Sequence, residues 1–161
     1  MLGETALRRG EPKVVEVEIS ANCHATEDED KVLSALKNLV SPNIRSAIHV
    51  EELSFTGYYG NPIKRFVIKI RGEEAEEVAR YVLSSLGDVD REILLSTFES
   101  RYDRRSSKLY LRVNKQEAYL GRLRLYDGSD AIRVVVSFAH GKDVPTVKHY
   151  ITSKILAEAS E

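Results

Sequence analysis

Apolar and polar positions alternate with period two in several short stretches, the mark of strands with one buried face. Val15, Val17 and Ile19 alternate with Glu16 and Glu18, and Leu109, Leu111 and Val113 alternate with Lys108, Tyr110 and Arg112. Val134 and Val136 continue the apolar set, so these eight residues are expected to lie beneath the helices. Strands are also predicted near 48–55 and 63–70. Between them lies Gly57-Tyr58-Tyr59-Gly60-Asn61-Pro62, a dense cluster of turn formers that predicts a hairpin. Helical spacing places Val32, Leu33, Leu36, Leu39 and Val40 on one stripe. Thr26 and Glu29 before it have the spacing of a capping box, and Ser41-Pro42 ends the helix. Further helices are predicted over 73–86, from Asp88 or Asp90 to about Tyr102, in a short turn over 115–120, and from Pro145 to near Ala159. Residues 122–126 and 131–139 read as arms of a hairpin closed by Asp127-Gly128-Ser129-Asp130.

The predicted order is therefore β-α-β-β-α-α-β-β-β-α. Hairpins dominate it, which favours an α+β two-layer sandwich: a mostly antiparallel sheet with helices on one face. Residues 1–12 lack periodicity and form a loose lead-in, leaving 13–161 as a single α+β domain. A chain of 161 residues is long enough for one real core.

Composition narrows the function classes. One cysteine, Cys23, excludes an internal disulfide, and four scattered histidines offer little for a zinc site. No stretch approaches the ~18 consecutive apolar residues of a membrane span. Residues 1–12 carry two arginines and no apolar run, so a secretory signal is not expected. A soluble protein of a reducing compartment, without membrane contact, is expected. The scarcity of Trp, Met, Cys and Gln beside many charges matches proteins of heat-adapted sources. Phosphate-binding glycine loops, zinc-protease motifs and nucleophile elbows are all missing, so no catalytic residue, metal ligand or cofactor is assigned. Cys23-His24 reads as a strand-end cysteine and a loop histidine, and Glu27–Asp30 as an acidic first helical turn.

Charge distribution is more informative than net charge. Residues 1–100 hold 12 basic and 18 acidic side chains, whereas 101–133 hold nine basic, seven of them arginine, against four acidic. Alternation sends Lys108, Tyr110 and Arg112 away from the core, and likewise Arg122, Arg124, Arg133, Arg65, Lys69 and Arg71. Guanidinium groups hold phosphates and aromatic rings stack on unpaired bases, as an RNA surface on a sheet requires. Two other readings fit the same pattern. The charges can form a solvated face neutralised by cross-strand partners such as Glu16 and Glu18, or the face can dimerise through Val67 and Val135.

Four stretches taken together carry a family resemblance. They are residues 24–32, Gly57 to Ile63, Asn114-Lys115-Gln116-Glu117-Ala118-Tyr119-Leu120-Gly121, and Leu123 to Gly128 leading into Ile132-Arg133-Val134. Their order and spacing resemble an archaeal family of predicted RNA-binding proteins, described also as proposed exosome subunits and earlier as a domain of unknown function. The resemblance spans roughly residues 13–158. It implies a two-layer α+β fold like that of ribosomal large-subunit protein five, an RNA-binding role in an archaeal cytoplasm, and exosome core proteins as partners. An adaptor or homodimer without RNA contact is the alternative. Tyr58 departs from the family pattern, which has histidine after the first glycine of the turn, so any ligand contact there would be aromatic or phenolic. The candidate RNA-binding residues are Tyr58, Tyr59, Asn61 and Lys64 from the turn, then Lys115, Gln116 and Tyr119, with Arg112, Arg122, Arg124 and Arg133 for the backbone. Tyr119 also fits a core position, and the turn glycines also fit a purely conformational role.

Overall fold

A computed structural model of the chain describes residues 10–157. Six strands form one open antiparallel sheet: β1 (Lys13–His24), β2 (Val50–Thr56), β3 (Pro62–Arg71), β4 (Tyr102–Asp103), β5 (Lys108–Asn114) and β6 (Ala131–Ala139), in the order β2-β3-β1-β6-β5-β4. Helices α1 (Glu29–Lys37) and α2 (Glu73–Ser85) cover one face. Further along the described residues come α3 (Asp88–Ser96), α4 (Phe98–Arg101), α5 (Lys115–Tyr119) and α6 (Val144–Tyr150). This is the expected α+β sandwich. The lead-in assigned to residues 1–12 lies mostly outside the described residues, as does the end of the final helix.

The core forms where the inward strand residues meet the helical stripes. Val17, Ile19, Ile68, Leu109, Leu111, Val113 and Val134 pack with Leu36, Val78, Val82, Leu94 and Ile151. Seven of the eight strand residues predicted to be buried are buried, and Val15 is the exception at 39% exposed. The register explains it. Val14 pairs with Phe138 but Glu16 with Ser137, so β1 carries one extra residue there and bulges. The bulge turns Val15 outward and lets Val14 take the inward position.

Three local expectations are corrected. The α1 cap is Asp28, whose carboxylate accepts from the N–H groups of Asp30 (2.9 Å) and Lys31 (3.4 Å), so Thr26 lies ahead of the helix. The helix expected from Asp88 to Tyr102 breaks at Thr97 into α3 and α4, and Tyr102 joins β4. Residues 122–126 do not pair with β6. Leu125 bridges to Val113, and Tyr126 N–H donates to the Arg112 carbonyl at 2.9 Å, so this segment flanks β5 on its other side. The final helix begins as predicted, and Asp143 caps it by accepting from Thr146 N–H; beyond Tyr150 it widens into π-helical turns over Ile151–Leu156. Among the described residues no helix is long and apolar enough to cross a membrane.

Candidate nucleic-acid interface

The helix-free face of the sheet is divided by the sequence of its central strand. Going along β1, the residues on that face are Glu16, Glu18, Ser20, Asn22 and His24, so acid gives way to neutral groups. At the acidic end the register sets Glu16 opposite Arg71 and Glu18 opposite Lys69, giving ion pairs of 2.9 and 3.9 Å. There the face is neutralised across strands. At the other end Arg65 faces Asn22 and Arg133 faces Ser20, so no carboxylate is supplied. Arg112 lies directly opposite Arg133.

These three arginines are held by uncharged partners. Arg65 Nε donates to Asn22 Oδ1 (2.9 Å) and its guanidinium lies over the Phe55 ring. Arg112 donates to the Gly128 carbonyl at 2.9 Å, and Arg133 lies over the Tyr110 ring, 5.1 Å from its centre. Among the described residues, none of the three has a carboxylate within ion-pair distance. Between the two halves, Ser20, Val67 and Val135 are nearly fully buried although they lie on the helix-free face.

The β2–β3 turn overhangs the same end of the sheet. Gly57 N–H donates to the Asn61 carbonyl (2.7 Å), and Gly60 adopts φ 81°, a left-handed conformation that glycine tolerates without strain. A side chain at Gly57 would press on Ile63 and Asn61. The turn lifts Tyr58 and Tyr59 into solvent, 94% and 90% exposed, with their rings edge to face at 5.0 Å. Two rings so exposed gain almost nothing from burial in the chain itself.

The other sequence candidates separate. Lys64 projects to the helical side, where Glu29 (2.5 Å) and Glu52 hold it; the Glu29 hydrogen bond raises its pKa. Lys115 is buried. Its ammonium donates to the Asn22 carbonyl (2.9 Å), to both Glu27 oxygens (3.0 and 3.1 Å) and to Asp130 (3.0 Å). Burial works to lower its pKa, but the hydrogen bonds of Glu27 and Asp130 outweigh it and the net shift is upward. Lys115 thus joins the end of β1, the loop before α1 and the loop before β6. Arg122 pairs with Glu117 at 2.7 Å, and Arg124 stands 4.0 Å from the same carboxylate. Gln116 and Tyr119 line a groove of about 340 Å³ between α1 and α5, with Lys31 5.7 Å from the centre of the Tyr119 ring. Cys23 is buried; burial first, then Glu27 and Glu29, push its thiol pKa up, the opposite of a nucleophile.

A family model described as RNA binding matches residues 16–138. The chain belongs to this RNA-binding family. A relative from Methanocaldococcus jannaschii, an uncharacterized protein, is 36% identical over 123 residues, covering 76% of this chain and 83% of its own. A Pyrococcus abyssi protein that bears the name RNA-binding protein is 32% identical over 122 residues, covering 73% and 77%. Crystal structures of family members show the same fold. One from Archaeoglobus fulgidus superimposes with a TM-score of 0.74 at 29% identity, covering 87% of this chain and 98% of that one. One from Sulfolobus solfataricus gives 0.70 at 29%, covering 87% and 99%.

Alternation alone puts Arg65 on the outward face without distinguishing it from Lys69 and Arg71, and no motif marks Asn22. The signal for both is the change along β1 from Glu16 and Glu18 to Ser20 and Asn22. Its meaning depends on a register with β3 and β6 that periodicity does not fix.

Proposed function

We propose that the protein is a non-catalytic binder of single-stranded RNA, held at the His24 end of its helix-free sheet face. Arg65, Arg112 and Arg133 grip the sugar-phosphate backbone, and Tyr58 and Tyr59 offer their faces to unpaired bases. The observation that carries this reading is the three guanidiniums fixed by neutral partners with no carboxylate beside them. Like charges directly opposite on a sheet destabilise it, so an Arg112–Arg133 pair is a cost that a bound anion removes. Gln116 and Tyr119 extend the surface round the end of the sheet, while Lys115 supports the architecture beneath it. The competing reading, self-association through the open face, would rest on Val67 and Val135, which are already buried within the chain at 6% and 5% exposure.

Within the cell we place this activity in the cytoplasm, as an accessory to RNA processing or to the exosome. Copurification with and without nuclease separates a direct exosome contact from an RNA-bridged one. The RNA reading itself is tested by titrating a short single-stranded RNA at several salt concentrations. Each neutralised phosphate contributes about −0.7 to the slope of log affinity against log salt, so the slope counts the phosphates that the three arginines hold, not the arginines. Changing Arg112 and Arg133 together to Gln should make the slope shallower by about 0.7 where the two share one phosphate and by about 1.4 where each holds its own. An unchanged slope and affinity would show that this face is not the RNA site.

A further inference from the structure

The unneutralised half of the face contains a dent more selective than a basic strip. It is lined by Asn22, His24, Arg65, Arg112, Ala131 and Arg133, among others, and its volume is about 140 Å³. Pockets for drug-sized ligands run to about 300–1,000 Å³, whereas this one equals about five water molecules at roughly 30 Å³ each. It is sized for one tetrahedral phosphate group and is too small to enclose a nucleoside.

The donors are fixed before any ligand arrives. Arg65 commits Nε to Asn22, and Arg112 commits one N–H to the Gly128 carbonyl. Arg133 is held by stacking on Tyr110. Each guanidinium therefore keeps unused N–H donors as well as its full charge. Arg112 and Arg133 are a directly opposed cross-strand pair, with Cβ atoms about 4.5–5.5 Å apart by sheet geometry. Both side chains line the same dent, so a single phosphate seated there is shared between them instead of each arginine tracking its own phosphate along a strand. Lys115 also lines the dent, but Glu27 and Asp130 more than neutralise its charge, so it adds no positive charge there.

Charge then selects the kind of phosphate. An internal phosphodiester brings one negative charge to three guanidiniums, whereas a phosphomonoester carries about 1.5–2 near neutral pH. We propose that the dent recognises the terminal phosphomonoester of an RNA strand. This inference rests on the RNA-binding reading above and adds end recognition to it.

The test measures binding of one single-stranded RNA sequence in three forms: 5′-phosphorylated, 3′-phosphorylated, and with hydroxyls at both ends. Fluorescence anisotropy at pH 8 and constant salt provides the readout. One phosphorylated form is expected to bind at least tenfold more tightly than the hydroxyl form, and which one it is identifies the end. R112Q and R133Q should each compress that preference below threefold while the hydroxyl-ended RNA loses less. Each variant should melt close to the native temperature, because the contact it loses, to Gly128 or to Tyr110, is offset by relief of the like-charge pair. Y59A should weaken all three forms alike and leave the preference intact. Equal affinity of the native protein for all three forms would overturn end recognition and leave RNA binding standing. Absence of binding to any form would overturn both.

Discussion

Replacing Lys115 by Met should destabilise the fold more than any other single change of charge near the interface. Its side chain is 5% exposed, and its ammonium satisfies the Asn22 carbonyl together with Glu27 and Asp130. Removing one partner of a buried ion pair costs about 3–5 kcal/mol, and an abandoned buried carbonyl about 1–3. The upper range does not apply. Glu27 is 23% exposed and Asp130 48%, so both carboxylates turn to water once the lysine is gone. A net loss of roughly 2–3 kcal/mol remains, which for a chain of this size lowers the melting temperature by roughly 4–12 °C. The pH dependence has a definite sign. Because the Lys115 pKa is raised in the folded protein, its contribution is fully present below the ordinary lysine value and disappears as pH rises through the higher folded value. The gap between native and K115M should be constant from about pH 7 to 9 and close above about 10.4. Thermal melts followed by circular dichroism across that range are the assay. A melting temperature within about 1 °C of native, accompanied by a large loss of RNA affinity, would refute the structural assignment and make Lys115 a ligand contact.

Leu111→Ala removes a side chain that is 1% exposed in the core, so chemical denaturation should show a loss of about 2–5 kcal/mol. Arg122 and Arg124 already share Glu117, so changing both to Ala should make the RNA salt slope less shallow than the Arg112–Arg133 change does, in the same titration. Tyr59→Ala should cost about 1–3 kcal/mol of RNA affinity at every salt concentration, with the slope preserved. Cys23 should resist alkylation near neutral pH in the folded protein and react readily in denaturant, as a mass-spectrometric time course would show.

Local pattern by itself determined the fold class and most of the core. Strict alternation in 108–113 leaves only one way to bury Leu109, Leu111 and Val113, and two glycines around Tyr58-Tyr59 leave little but a tight hairpin. Val15 escaped that logic because a bulge shifts the alternation by one residue without changing residue types. The segment 122–126 escaped it because pairing partner is a property of the whole sheet: β5 offered an edge left open beyond its two-residue pairing with β4, whereas β6 was flanked by β1 and β5. For the interface, sequence supplied the inventory of arginines and tyrosines, and register decided their meaning. Arg71 and Arg65 are alike in sequence, yet one meets Glu16 and the other Asn22. Lys115 and Arg112 are three residues apart, yet one is buried between carboxylates and the other stands free of them. Ion pairing depends on contacts between residues distant in the chain, and only tertiary structure brings those together.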